Sequence, residues 1–175
     1  MTADVTLTHR RLTRNEAQTL HELIRLTPNI LGYLTPELER FRDVWVAEGD
    51  GVFAGACLSV DLPFGWTEIA VLYVVDSYRG GGIGGQLFEK ACRTAESRGR
   101  HIFVISRTPS VLKMMRERGM PPRKDFLKAP LAVHIYNQKY MASWYRTVEM
   151  FRKIKMRRDG LPEFQYGMMR FPKPP

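Results

Sequence analysis

The stretch of this chain richest in chemistry runs Val71-Leu72-Tyr73-Val74-Val75-Asp76-Ser77-Tyr78-Arg79-Gly80-Gly81-Gly82-Ile83-Gly84-Gly85. An apolar strand enters it. An amphipathic helix leaves it, with Ile83, Leu87, Phe88, Ala91, Cys92 and Ala95 on one face. The glycines between them let backbone come close to a ligand. The helix N-terminus adds unpaired N–H groups and the positive end of the helix dipole, so the spot suits an anion such as a pyrophosphate. Two familiar phosphate loops do not fit. A Walker loop closes on Gly-Lys-Ser/Thr, which is missing here. A dinucleotide fingerprint sits on the first strand of its domain, whereas this loop follows four candidate strands.

Upstream lies Glu68, the one acid in the apolar run Trp66-Thr67-Glu68-Ile69-Ala70-Val71-Leu72. Partial burial there would raise its pKa toward a useful value. Alternation does not choose its face, because both faces of the strand are apolar, so a functional acid and a solvent-turned edge carboxylate both stay open. The four histidines (His9, His21, His101, His134) lack metal-ligand spacing and read as structural. Cys57 and Cys92 are unclustered, which excludes a disulfide scaffold and a cysteine zinc site. No metal is expected.

The elements that must position these residues follow from periodicity and punctuation. Val5–His9 alternates as a strand. Thr13-Arg14-Asn15-Glu16 caps a helix to about Leu26, stopped by Pro28, and Thr35-Pro36 starts a short second helix. Strands at 44–48 and 52–60 flank the turn Gly49-Asp50-Gly51, and a third runs from Trp66 to Val75. After the glycine-loop helix come a buried strand at 101–105, a helix from Pro109 to Arg118, and an irregular basic linker from Pro121 to Pro130. One long helix is expected from Ile135 to about Met156, then a strand from Glu163 to Phe171 and a frayed tail at 172–175. This order predicts an α+β fold: a mixed, mostly antiparallel central sheet flanked by helices, with a central β–loop–α–β unit. The 175 residues suit a single domain.

Arg79-Gly80-Gly81-Gly82-Ile83-Gly84 resembles the Arg/Gln-x-x-Gly-x-Gly/Ala motif of the GNAT superfamily, the general-control-type N-acetyltransferases. The likeness extends over roughly residues 4–120, while 121–171 is divergent. It implies acetyl-coenzyme A as acyl donor, its pyrophosphate on the amides of Gly80, Gly81, Gly82, Ile83, Gly84 and Gly85 beside Arg79. It also implies a splayed V between the strand ending near Val74 and the strand at 101–106, filled by the pantetheine arm. A backbone N–H in a bulge near Leu72–Val74 would stabilise the oxyanion. The acceptor would be an amine, which needs a base near neutrality, and Glu68 stands at the family's spacing, 11 residues before Arg79. Relatives often supply an acid from a tyrosine four residues before the glycine that closes the next helix. Met115 occupies that position here, leaving Tyr33, Tyr136 and Tyr140 as unranked substitutes.

Net charge is +9, and residues 113–158 alone carry +10 against −1 for the rest. That asymmetry points to an anionic acceptor or to nucleic acid docking on 113–158, with plain solubility as the bland alternative. On a helical wheel Tyr140, Met141, Trp144, Val148, Phe151 and Ile154 form an apolar face, expected to be core or a homodimer surface. Lys139, Arg146, Lys153 and Arg157 form the opposite, basic face. An enzyme modifying tRNA or DNA bases and a non-catalytic coenzyme-A-binding module are the alternatives to amine acetylation. Apolar content of 44% excludes wholesale disorder. No run approaches 18 apolar residues and the N-terminus has no apolar leader, so no membrane is involved and a cytoplasmic location is expected.

Overall fold

Six strands lie side by side in chain order: β1 (Val5–His9), β2 (Asp43–Gly49), β3 (Val52–Leu62), β4 (Trp66–Val74), β5 (His101–Ser106) and β6 (Gln165–Met169). Neighbours are antiparallel except β4 and β5. A parallel pair needs a crossover, and the glycine loop with helix α3 (Ile83–Ser97) provides it. The computed structural model describes residues 4–30, 32–142, 144–156 and 163–171; the tail at 172–175 lies outside them.

Two apolar layers sandwich the sheet. On one face α3 lays Leu87, Phe88, Ala91, Cys92 and Ala95 against Ala47, Ala54, Cys57, Ile69, Ile102 and Val104. Helix α4 (Pro109–Glu117) extends this layer with Leu112 and Met115. On the other face α1 (Arg14–Leu26) and α2 (Thr35–Arg40) bury Leu20, Ile24 and Leu38 against Val44, Val46, Leu58, Val71 and Tyr73. The capping box at Thr13 and Glu16 forms as the sequence indicates, with the Thr13 N–H donating to Glu16 at 2.7 Å.

The β3–β4 register slips once. Leu58 faces Val71 and Ser59 faces Ile69, so Ala70 is an extra, unpaired residue, a β-bulge. The bulge stands two to four residues earlier than the Leu72–Val74 position expected from the family pattern. It resets the alternation of side chains. Ile69, Leu72 and Val74 share the α3 face, whereas Val71 and Tyr73 face α1 and α2.

The expected long helix from 135 to 156 is two helices, α5 (Leu131–Met141) and α6 (Trp144–Lys155). They serve different partners. Ala132 and Val133 of α5 pack with Leu62, Trp66, Phe103 and Tyr166, while α6 lies against the end of α1. Of the two expectations for the apolar face of α6, core does not hold. Trp144 is 80% exposed and Val148, Phe151 and Ile154 are exposed too, whereas Glu149 and Lys153 are buried. The last carbonyls of α1 have no helical partner and require donors. Lys153 Nζ donates to the Ile24 and Thr27 carbonyls, and Arg152 donates to the Arg25 carbonyl at 2.6 Å. Arg146 pairs with Glu37 at 2.6 Å. The side chains of Lys139, Tyr140 and Met141 and all of Arg157 lie outside the described residues.

This packing makes a testable distinction. Phe151→Lys should move the free energy of unfolding by no more than about 0.5 kcal/mol in a urea titration. A buried phenylalanine at that position would lose several kcal/mol on the same change.

Candidate active site

β4 and β5 pair only from Trp66–His101 to Ile69–Val104 and then part. The bulge residue Ala70 comes directly after the last paired residue, and a bulge bends and twists its strand. A cavity of about 1060 Å³ fills the resulting V.

One arm runs toward the glycine loop. Its lining includes Val74, Arg79, Gly80, Gly82, Ile83, Gly84, Gly85, Val111, Lys113 and Met114. Gly80 and Gly82 have φ of +89° and +79°, conformations that an L side chain strains to adopt. A Cβ placed at Gly80, Gly81 or Gly82 would meet nothing within 4 Å, so space is open beside the loop. The Gln86 N–H is bonded to the Gly82 carbonyl at 3.1 Å. The N–H groups of Ile83, Gly84 and Gly85 precede it and lie outside the helical ladder, at the positive end of α3. Arg79 braces the loop: its Nε donates to the Val74 carbonyl at 3.0 Å and its guanidinium pairs with Asp76 at 2.8 Å.

Leu72 and Val74 form the open edge of β4. The Val75 N–H donates to the Ala54 carbonyl on β3 at 2.9 Å. Alternation then turns the Tyr73 N–H toward β3 as well, and the N–H groups of Leu72 and Val74 toward the V. An extended chain can add there as a further strand. The amide cradle, the open space above it and this unpaired edge fit a coenzyme A molecule.

Glu68 lies at the other arm, 8% exposed, which excludes the solvent-turned edge carboxylate. Its Oε2 is buried with no hydrogen-bond partner among the described residues. Burial alone pushes its pKa from 4.5 up to about 7. Tyr33 and Tyr136 line the cavity with it. Burial, and secondarily the Glu68 charge, hold the Tyr33 hydroxyl well above its ordinary pKa and push Tyr136 up to about 12. Both hydroxyls therefore remain protonated at neutral pH. Met115 is fully buried in the core, where its Cε would be 2.7 Å from a Cβ placed at Gly167, and it does not line the cavity. Val111 and Met114 do.

The acceptor arm was the least visible in the sequence. Asn29, Phe126, Val133, Met150 and Phe164 line it from a loop, a linker, two helices and the approach to β6. An aromatic residue in an otherwise basic linker, Phe126, was the one available signal. No group of three or more His, Cys, Asp or Glu that could hold a metal occurs among the described residues, nor does a helix long and apolar enough to cross a membrane.

Comparison with known proteins agrees with this geometry. The acetyltransferase (GNAT) family model matches residues 12–120. No match to a curated protein was found. Among solved structures, Neisseria gonorrhoeae N-acetylglutamate synthase, complexed with coenzyme A and N-acetyl-glutamate, is 18% identical, with a TM-score of 0.66. That alignment covers 97% of this chain and 36% of the synthase, so this chain spans about a third of that protein's length. Rv2747 from Mycobacterium tuberculosis, in complex with coenzyme A and NLQ, is 15% identical, with a TM-score of 0.67 and coverage of 95% and 99%. The Escherichia coli ribosomal-protein-S18-alanine N-acetyltransferase is 12% identical, with a TM-score of 0.60 and coverage of 95% and 93%. These likenesses show the fold. With the family model matching more than half of the sequence, the chain belongs to the GNAT acetyltransferase family, whose members are acyl-coenzyme-A-dependent transferases.

Proposed function

We propose that this chain transfers an acetyl group from acetyl-coenzyme A to a primary amine, with Glu68 as the general base. The observation that carries this reading is the buried Glu68 carboxyl, its Oε2 without a hydrogen-bond partner among the described residues, in the cavity that opens where β4 and β5 part. Acetyl-coenzyme A, when bound, supplies an acyl thioester. Gly80 to Gly85 hold its pyrophosphate through backbone amides, and the open edge at Leu72 and Val74 receives the pantetheine. A Leu72 or Val74 N–H donates to the carbonyl oxygen that gains negative charge during attack. Glu68 takes one proton from the alkylammonium, and its pKa near 7 suits a base working at neutral pH. The amine N–C bond forms, the C–S bond breaks, and the thiol retains a proton, so one proton is released to solvent per turnover. Met115 in the core offers no acid, and the protonated hydroxyls of Tyr33 and Tyr136, which line the same cavity, are the side chains that, beside solvent, could return a proton to the thiolate.

The unmatched basic segment gives a nucleic-acid acceptor less support than its charge suggests. Of the four residues on the expected basic face, Arg146 and Lys153 have described side chains, and both are occupied in the protein interior. Arg118 pairs with Glu89 and Glu96, Lys124 with Glu163 and Lys128 with Asp125. Three of the segment's thirteen cations, Arg118, Lys124 and Arg146, are thus paired with acids outside it.

Three measurements test the assignments. Glu68→Gln should lose at least tenfold in kcat/KM at pH 7, together with the acid limb near pH 7 in a thiol-release assay; unchanged activity would remove Glu68 from the mechanism. Because the folded pKa of Glu68 is raised, folding is favoured most below the ordinary pKa near 4.5, and that stability is lost as pH rises through about 7. Glu68→Gln should therefore be the more stable protein at pH 8, by up to roughly 3 kcal/mol, and should show little difference at pH 4.5. Gly81→Asp has room for its side chain and no positive φ to strain. It should keep the fold and weaken coenzyme A binding at least tenfold by calorimetry.

A further inference from the structure

The proposed amine chemistry leaves open which amine, and the lining of the acceptor arm addresses that question. We infer that the acceptor is a primary amine carried on an apolar, aromatic-sized body, with no carboxylate near the nitrogen. The inference rests on the assignment of Glu68 as base. Around Glu68 the cavity is lined by Tyr33, Phe126, Val133, Tyr136, Met150 and Phe164, with Asn29 and Asn137 as neutral polar residues among them. Glu68 is the one charged residue on this arm among the described residues; Arg79, Lys113 and Glu117, the other charged lining residues, belong to the loop end.

An acceptor carboxylate would need a cation or a set of donors to replace its water. Two cations come near without lining the cavity. Arg107 is 5% exposed, donates to the Pro28 carbonyl at 2.7 Å and to Asn29 Oδ1 at 3.1 Å, and stacks on the Phe164 ring. Arg146 is held by Glu37 and lies over the Tyr33 ring. A bound carboxylate would instead meet mainly apolar walls, neutral polar groups with no cation among them, and the like charge of Glu68. An ammonium group meets the opposite: a carboxylate that attracts it and ring faces that carry negative potential. The apolar walls then take up the rest of the molecule. Val133, Tyr136 and Met150 come from α5 and α6, outside the 12–120 match, so the part of the chain that departs from the family is the part that shapes this arm.

Phenethylamine and phenylalanine form a matched pair differing by one carboxylate. Binding of each to the coenzyme-A-loaded full chain is read by calorimetry, and acetyl transfer by thiol release, with glutamate as a third compound. Phenethylamine should bind at least tenfold more tightly than either amino acid and show at least thirtyfold higher kcat/KM. Met150→Arg, which brings a cation to the wall, should shrink the phenethylamine preference over phenylalanine at least tenfold. Equal or tighter binding of phenylalanine or glutamate by the parent protein overturns the inference, as does failure of phenethylamine to bind. Preferential binding of phenethylamine with no thiol release from any amine supports the acceptor class and overturns the transfer reading instead.

Discussion

One unpaired residue, Ala70, governs the geometry of the site. The β-bulge it makes stands where β4 stops pairing with β5, so the same local irregularity parts the strands and re-aims the side chains beyond it. Upstream of it Glu68 looks into the acceptor arm. Downstream, Leu72 and Val74 turn their N–H groups to the open edge while Val71 and Tyr73 join the α1 layer. An unbulged strand would keep its pairing or its alternation, and would lose either the cleft or the juxtaposition of acid and open edge.

Around that point the protein divides its electrostatics. The loop end presents backbone amides suited to an anion, at the positive end of α3 and between glycines at φ of +89° and +79°. The acceptor end holds one carboxyl in an apolar enclosure, where burial sets its proton affinity. The two ends need opposite surroundings, and the sheet separates them. Of the Lys and Arg of the C-terminal part, Lys113 lines the cavity at the loop end. Several of them fasten helices, as Lys153 and Arg152 do at the carbonyls of α1.

What could be read from the sequence follows the range of the forces involved. The loop and α3 were legible because glycine conformation and helical amphipathicity are local properties, and both appear at the expected residues. The chemical type of Glu68 was legible and its face was not, because the face depends on a bulge whose register is set against β3. α6 misled for a related reason. Its apolar residues form a clean stripe, yet the stripe faces outward, because Arg152 and Lys153 turn inward to donate to the Ile24, Arg25 and Thr27 carbonyls at the end of α1. Amphipathicity records which residues share a face and is silent on hydrogen-bond demand elsewhere in the fold. The acceptor walls at Phe126, Met150 and Phe164 belong to separate elements that meet only in three dimensions.

The in-order sheet has a consequence for how the molecule is made. Because synthesis runs from the N-terminus, the amide cradle and Glu68 leave the ribosome long before their surroundings are complete. β5 ends at Ser106, and the strand that covers its outer edge begins only at Gln165. During that interval β5 presents an unprotected strand edge of the kind that invites mispairing. The walls contributed by α5 and α6 emerge in the same interval. The nascent chain thus carries the glycine loop and Glu68 first and gains the α5 and α6 walls of the cavity last, and β6 covers the β5 edge behind both.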